Sequence, residues 1–169
     1  AEHMLHDLID AARASSNEPA KRAAQVLAGW DRMVSPGSKG AVLFEAFVRA
    51  WTKGNEGRLR LEPGQNGLFA SPWDRSNPVA TPRGIADPGA ALAALAQAAG
   101  EVEKDHKALD VPWGDVFRVR AGGVDLPANG GPGSLGVFRT LNFRRAPDGR
   151  FAARHGDSYV AMVEFSTPI

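Results

Sequence analysis

The chain has 169 residues, in which 20 Lys and Arg stand against 19 Asp and Glu, so its formal net charge is +1. This length is typical of one globular domain, and the balanced charge argues against a nucleic-acid or membrane partner that binds through bulk charge. The absence of cysteine excludes disulfides, thiolate catalysis and Cys-ligated metal centres. No apolar run approaches the ~20 residues that span a bilayer, and residues 1–4 do not resemble the start of a signal peptide.

Apolar residues at helical spacing predict three helices in the first part of the chain. The first covers residues 3–14, and the second begins at Glu18, with Pro19 in its first turn where the missing N–H costs nothing. The third begins at Ser38 or Lys39 and carries bulky residues on one face, namely Leu43, Phe44, Phe47, Val48 and Trp51. This amphipathic pattern predicts a helical core.

Residues 54–88 are rich in glycine and proline and contain no long periodic segment. An irregular stretch of that length is unusual inside a compact single domain. We therefore expect a functional or wrapping loop, or one that packs on something absent from this chain. Asp87 and Pro88 then predict the start of a fourth helix, whose apolar pattern runs to Val102 and whose end Gly100 weakens.

The last third of the chain changes to strand patterns. Residues 113–120 fit either a short helix or a strand, whereas alternating apolar positions over residues 135–143 predict a strand. A turn at residues 146–149 predicts a hairpin with residues 151–155, because Pro presets φ and Gly accepts a positive φ. Residues 158–165 are apolar on both faces and predict a buried strand. Helices first and antiparallel strands last indicate an α+β fold.

The glycine-rich segment at residues 130–136 has two candidate functions, as a phosphate-binding loop and as a nucleophile elbow around Ser134. A phosphate loop needs a lysine and a following helix, and an elbow needs glycine two residues before the serine. No lysine follows here, and position 132 is Pro. The favoured interpretation is a loop whose backbone closely approaches another backbone segment.

His155, Asp157 and Ser158 are residue types found in catalytic triads, but they are too close in sequence to form one. On a strand, His155 and Asp157 share a face while Ser158 points to the other, and triad members usually come from separate loops. We expect a strand entry with local side-chain-to-backbone hydrogen bonds instead.

Other candidate sites are weaker. Glu103 and His106 have the spacing of two metal ligands on one helix, but a second copy of the motif is missing, so a solvated helix end is favoured. The first helix brings four potential metal ligands close together, namely His3, His6, Asp7 and Asp10. The aromatics of the second and third helices have no basic residues interleaved, which favours a core over a stacking platform for bases, and this set is Trp30, Phe44, Phe47 and Trp51. The residues alone predict no catalytic, cofactor-binding or metal-binding site.

Several segments resemble one family of enzymes, the penicillin-acylase-type amidases. Residues 30–32 (WDR) followed by residues 40–44 (GAVLF) are similar to a segment of that family, and residues 77–84 (NPVATPRG) resemble a loop of its acyl-homoserine-lactone acylase and aculeacin acylase branch. The most specific pair is LPANGGPGSLGVF, at residues 126–138, and GDSYVAMVEF, at residues 156–165. In the family these two segments occur in the same order, shortly before the end of the β chain.

The resemblance implies part of an N-terminal-nucleophile hydrolase with an αββα fold, cut from a precursor into α and β chains and either periplasmic or secreted. In that family, the new N-terminal serine attacks an amide carbonyl with its own amino group as base. Ala1 cannot serve as this nucleophile, and the family's catalytic residues map onto no position of this sequence. The resemblance thus implies that residues 1–169 form an internal segment of the β chain, without the nucleophile and without the closing segment.

Two hypotheses of different classes follow. In the first, the chain is scaffold for an amidohydrolase acting on acyl-homoserine lactones or penicillin-like amides. It would need no cofactor, have the remaining α and β segments as partners, be inactive alone, and self-associate through exposed apolar surface. In the second, the chain is a self-standing, non-catalytic structural or protein-interaction module. The first hypothesis predicts an exposed strand edge and apolar patch, and the second predicts a stable chain without an exposed apolar strand.

Overall fold

The computed structural model describes residues 3–53, 68–157 and 164. Within these ranges helices come first and a four-stranded sheet comes last, which confirms the α+β class. The helices are α1 (Leu5–Ala14), α2 (Glu18–Ala28), α3 (Ala41–Thr52), α4 (Pro88–His106) and the short α5 (Trp113–Val116). The strands are β1 (Phe117–Ala121), β2 (Val124–Pro127), β3 (Leu141–Arg145) and β4 (Phe151–Gly156). None of the described helices has the length and apolarity required to cross a membrane.

Helix α1 begins at Leu5, two residues after its predicted start, and ends at Ala14 as predicted, whereas α2 begins at the predicted Glu18. Helix α2 is capped by the Asn17 side chain, which accepts a hydrogen bond from the Ala20 N–H at 3.1 Å, and Pro19 lies in its first turn. The apolar stripe of α1 is buried at Leu5, Leu8 and Ala12. Both helices therefore pack by the faces that the spacing of apolar residues selects.

Helix α3 begins two or three residues later than predicted, because Gly40 rather than Ser38 precedes it. Gly40 has a φ of +98°, and a Cβ placed there would lie 2.7 Å from the Cβ of Trp30. Ser38 is instead buried, and its hydroxyl contacts the Trp30 indole N–H at 3.0 Å and the Asp31 carboxylate at 2.6 Å. A glycine is thus required where the buried Trp30 crosses the start of α3.

Helix α4 begins at the predicted cap and runs further than its glycine suggested. The Asp87 carboxylate accepts from the Ala90 N–H at 2.9 Å. Gly100 lies inside the helix, which continues to His106 and ends where Lys107 adopts a φ of +64°. The loss of helix propensity at one glycine is outweighed because α4 packs on both α2 and α3.

Within the predicted irregular segment, residues 68–87 contain no helix or strand, as expected, and residues 54–67 lie outside the described residues. An isolated pair of backbone hydrogen bonds joins Ser71 and Arg83 at 2.8 and 2.9 Å. The Gly84 N–H donates to the His3 carbonyl at 2.9 Å, and the Ala86 N–H donates to the Leu68 carbonyl at 3.1 Å. The bonds within the segment close it on itself, and the bond to His3 ties it to the residues just before α1.

The sheet has the strand order β2-β1-β4-β3. Strands β1 and β2 form an antiparallel hairpin and so do β3 and β4, with the predicted turn at residues 146–149 in the second, while β1 and β4 pair in parallel. The segment at residues 113–120, left open between helix and strand, is both: one helical turn followed directly by β1. The predicted buried strand at residues 158–165 lies outside the described residues, apart from position 164.

The prediction of a strand over residues 135–143 is wrong in its first half. Residues 133–135 form a short 3₁₀ helix, and the strand begins only at Leu141. The chain reverses at Gly136, whose φ is +72°, and then returns so that Thr140 lies beside Gly131. The alternation of apolar residues therefore does not decide the structure of this segment. A glycine turn and the pairing of Thr140 with Gly131 decide it, and a local sequence pattern shows neither.

The helical layer covers one face of the sheet, and aromatic rings fill the space between them. Trp113 and Phe117 stack with ring centroids 3.7 Å apart. Phe143 lies edge-on to Phe117 and Phe151 stacks against it, each with a centroid distance of 4.9 Å. A second row of aromatic rings lies along α3, from Trp30 through Phe44 and Phe47 to Trp51, with neighbouring ring centroids 4.9 to 6.0 Å apart. The prediction that these aromatics form core is confirmed.

Candidate functional site

The glycine-rich loop at residues 130–136 makes the close backbone approach that was predicted. Gly130 has a φ of +119°, and a Cβ there would lie 2.7 Å from the Arg139 carbonyl oxygen. Its N–H donates to the Val34 carbonyl at 3.0 Å, and its own carbonyl accepts from the Trp113 indole N–H at 3.1 Å. The loop is therefore bonded to the connection between α2 and α3 and to α5, and it packs closely against the residues just before β3.

Two of the three residues of triad type, His155 and Asp157, lie in the described part of the chain. The Asp157 carboxylate accepts from the Thr140 N–H at 2.9 Å, and the Asp157 N–H donates to the Thr140 carbonyl at 3.0 Å. This is the local side-chain-to-backbone bonding that was expected. His155 is exposed, and Ser158 lies outside the described residues.

The charged residues of α1 pair with neighbours rather than around a common point. The His6 ring contacts the Asp10 carboxylate at 2.8 Å on the surface of the helix. The His3 Nδ1 atom lies 2.7 Å from the Pro82 carbonyl oxygen, which ties the start of the chain to the irregular segment. Across residues 3–53 and 68–157, no group of three or more metal-ligating side chains is positioned to hold an ion.

Glu103 and His106 on α4 point to different neighbours. Glu103 forms a two-pronged ion pair with Arg22 of α2, in which Nη2 and Oε2 are 3.0 Å apart, and this bond raises the pKa of Arg22. His106 is half-buried, and burial is the largest influence that lowers the pKa of its ring. Glu103 thus holds α4 against α2, whereas His106 lies in a polar cleft.

A largely buried carboxylate that the sequence analysis did not single out lies between α3 and α4. Burial raises the pKa of the Glu45 carboxyl, and the nearby Arg49 guanidinium opposes this effect. Arg49 is 3.5 Å from Glu45 and 3.0 Å from Glu101 of α4. The spacing of four residues between Glu45 and Arg49 predicts that these two side chains meet on one helix. The contact with Glu101 could not be predicted in this way, because Glu101 lies on another helix more than fifty residues away in sequence.

The same charges continue onto the sheet around one phenylalanine. The guanidinium carbons of Arg49 and Arg145 each lie 6.0 Å from the centroid of the Phe151 ring. Arg145 also contacts Asp105 of α4 at 2.7 Å. Cation–π contacts and ion pairs together therefore fasten β3 and β4 to the helical layer.

A mainly apolar cleft of about 260 Å³ lies between α3 and the irregular segment. Its walls combine aromatic and aliphatic side chains with a few polar ones, namely His3, Met4, Phe44, Val48, Trp51, Phe69, Pro78, Val79, Thr81, Pro82 and Ser134. On α3, the cleft residues Phe44, Val48 and Trp51 share one face because they are spaced by four and three. We refer to this cavity as the α3 cleft.

The α3 cleft can hold an apolar group, but its polar atoms are not arranged for covalent chemistry. The Thr81 hydroxyl donates to the Asn77 carbonyl at 2.8 Å and accepts from the Asp74 N–H at 2.8 Å. His3 and Ser134 both line the cleft, yet no hydrogen bond among the described residues joins a serine or threonine hydroxyl to a histidine ring. The described polar atoms of the cleft therefore form no hydroxyl–imidazole pair of the kind used in serine–histidine acyl transfer.

Comparison with known proteins places these features in context. The family model for penicillin amidase matches residues 1–169, which is the whole chain. An acyl-homoserine lactone acylase PvdQ from Pseudomonas fluorescens (strain Pf-5) is 36% identical over 98 residues, which cover 55% of this chain and 13% of that protein. The protein of the same name from Pseudomonas savastanoi pv. phaseolicola is 34% identical over 140 residues, covering 71% and 18% respectively.

A third relative extends the match along the chain at lower identity. The acyl-homoserine lactone acylase PvdQ from Pseudomonas fluorescens (strain Pf0-1) is 27% identical over 177 aligned positions, which cover 98% of this chain and 21% of that protein. The chain therefore spans about a fifth or less of the length of these relatives.

Proposed function

Because the chain belongs to the penicillin amidase family, we propose that it is a scaffold segment of a longer amidohydrolase that cleaves the amide bond of N-acyl compounds. The observation that carries this proposal is the family match over all 169 residues. The relatives named as acyl-homoserine lactone acylases support acyl-homoserine lactones as one substrate class, and the penicillin amidase family match supports penicillin-like amides as another.

The catalytic machinery of this enzyme lies in other parts of the same polypeptide. An N-terminal serine of a processed β chain attacks the amide carbonyl, and its own α-amino group takes up the proton. Donors outside this chain hold the oxyanion. The enzyme works in the periplasm or outside the cell, as the family resemblance implies.

Within this segment, the α3 cleft is the described cavity whose chemistry suits the acyl part of such a substrate. Its walls are mainly aromatic and aliphatic, and binding of an acyl tail there would remove apolar surface from water. Val79 lines the cleft and is 86% exposed, so replacing it disturbs little packing.

The amidase proposal is tested by expressing the full-length gene and comparing it with the 169-residue chain. We expect the full-length protein to be processed into two chains and to hydrolyse acyl-homoserine lactones or penicillins, and the 169-residue chain to show no turnover. An unprocessed full-length protein without amidase activity would refute the proposal, and enzyme-like turnover by the 169-residue chain would refute its division of roles.

The role of the α3 cleft is tested separately in the active enzyme. We expect Val79→Asp to lower kcat/KM for long-chain substrates more than for short-chain ones, because a carboxylate in the cleft opposes an apolar tail. Met33→Asp is the matched control, since Met33 is also an exposed apolar residue but lies outside the cleft. Equal effects of Val79→Asp on both chain lengths would exclude the cleft from acyl binding.

A further inference from the structure

The hairpin formed by β1 and β2 carries a continuous apolar face. Its two-residue turn, Gly122 and Gly123, has φ values of +57° and +82°, as a tight hairpin turn requires. In its register Val119 pairs with Leu126, and Ala121 pairs with Val124. Directly paired residues point to the same face of a sheet, so these four side chains lie together, and we call them the hairpin face.

The hairpin face is a continuation of the core face of the sheet. Side chains alternate along a strand, so Val119 and Ala121 point the same way as Phe117. Phe117 is only 1% exposed beneath the helices, whereas Val119, Val124 and Leu126 are 38%, 52% and 56% exposed. The described helical layer thus ends before the hairpin does, and the apolar surface runs on without a cover among the described residues. A contiguous exposed apolar patch of this kind is typical of an interaction site.

The opposite face of the hairpin fixes its position. Arg118 and Asp125 are 2.6 Å apart across the two strands, and Arg120 contacts Asp125 at 3.2 Å. Arg120 also contacts Asp148 at 2.6 Å, in the turn between β3 and β4. Arg118 further donates to the Gly114 carbonyl at 2.7 Å. These contacts brace the hairpin against the rest of the sheet and hold the hairpin face outward.

We propose that the hairpin face docks onto an apolar segment of the same acylase polypeptide, outside residues 1–169. The inference rests on the proposed function in one respect, namely that the chain is part of a longer acylase. The relatives support such a partner, because 79% or more of their length lies outside the region matched.

The size of the hairpin face argues for this occupant over a second copy of the chain. Stable dimers bury about 20–30 residues on each side, and the hairpin face has four. A segment of the same polypeptide needs less contact area, because its effective concentration is on the order of millimolar when it is tethered. The occupant should be apolar and uncharged, since the hairpin face itself offers no charge.

The test uses the absence of cysteine from this chain. Leu126→Cys is introduced into the 169-residue chain and into the full-length acylase, and the rate of maleimide labelling of that peptide is measured by mass spectrometry. Met33→Cys is the matched control, because Met33 is 59% exposed and Leu126 is 56% exposed. Labelling needs access to the thiolate and no enzymatic activity, so the result stays interpretable even if the amidase proposal fails.

We expect Leu126→Cys to react at least about tenfold more slowly in the full-length acylase than in the 169-residue chain, which corresponds to about 1.4 kcal/mol, while Met33→Cys reacts equally in both. Equal rates for Leu126→Cys overturn the proposal. So does protection already present in the 169-residue chain: if it is independent of concentration the cover lies within the chain, and if it grows with concentration the cover is a second copy. Amide hydrogen exchange of unmodified β2 repeats the comparison without a substitution, and equal exchange in both proteins contradicts the proposal.

Discussion

Substitution of Gly40 by alanine tests how the buried Trp30 and the start of α3 depend on each other. The new Cβ would lie 2.7 Å from Trp30 Cβ and 2.9 Å from Trp30 Cγ, so one side must move. Trp30 is held in place because its indole N–H donates to the Met33 carbonyl and to the Ser38 hydroxyl, both at 3.0 Å. A shift of the ring therefore also lengthens two hydrogen bonds.

The cost of Gly40→Ala has two parts. A non-glycine residue at a φ of +98° is strained by about 1–3 kcal/mol, and inserting a methyl group into a packed site costs about 1–3 kcal/mol. The expected loss is the sum, about 2–6 kcal/mol of the free energy of unfolding. Gly37→Ala is the control, because a Cβ at Gly37 meets nothing within 4 Å and its φ is not positive. This variant should stay within about 0.5 kcal/mol of the parent or gain slightly.

Urea unfolding followed by tryptophan fluorescence measures both variants. An unchanged slope with a lower midpoint would show that stability, and not the unfolded state, has changed. A Gly40→Ala variant within about 0.5 kcal/mol of the parent would refute the claim that Gly40 is required by the approach of Trp30.

Three further predictions concern the buried carboxyl, the core and a helix cap. Burial raises the pKa of Glu45, so the contribution of this carboxyl to stability should fall as the pH rises from its unfolded-state pKa of 4.5 toward its raised folded-state pKa. Glu45→Gln should therefore make the urea midpoint depend less on pH in that range. Trp113→Ala should lower the free energy of unfolding by about 3–5 kcal/mol, because Trp113 is fully buried; a loss below about 1 kcal/mol would contradict the assigned core. Asp87→Ala should cost about 1 kcal/mol by removing the bond to Ala90, against Ser16→Ala as an exposed control, and thermal unfolding measures the difference.

The helices could be predicted because their signals are local. The caps at Asn17 and Asp87 stand next to the helices they start, and the apolar faces repeat every three or four residues. The start of α3 was missed by two or three residues because the requirement at Gly40 comes from Trp30, ten residues away. A side chain outside the helix decided that boundary.

The strands were harder because their partners are remote. Alternation over residues 135–143 predicted one strand, yet pairing of Gly131 with Thr140 and the turn at Gly136 divide that segment. Residues 113–120 were ambiguous because helix and strand follow each other without a loop.

The candidate site depended on contacts that no local pattern contains. The α3 cleft joins the start of α1, one face of α3 and the irregular segment, so no motif spans it. The ion pair of Glu45 with Arg49 could be predicted from their spacing on one helix, but the contact of Arg49 with Glu101 could not, because Glu101 is on another helix. The resemblance to a family supplied the functional class, which the residues alone did not.

Cleavage of an amide bond by the longer protein, as proposed above, can be tested by identifying the products. The full-length protein is incubated with an N-acyl homoserine lactone, and the products are separated and weighed by mass spectrometry. We expect free homoserine lactone together with the free carboxylic acid. N-acyl homoserine, in which water has opened the lactone ring and the amide is intact, would contradict it, as would recovery of unchanged substrate from fully processed protein.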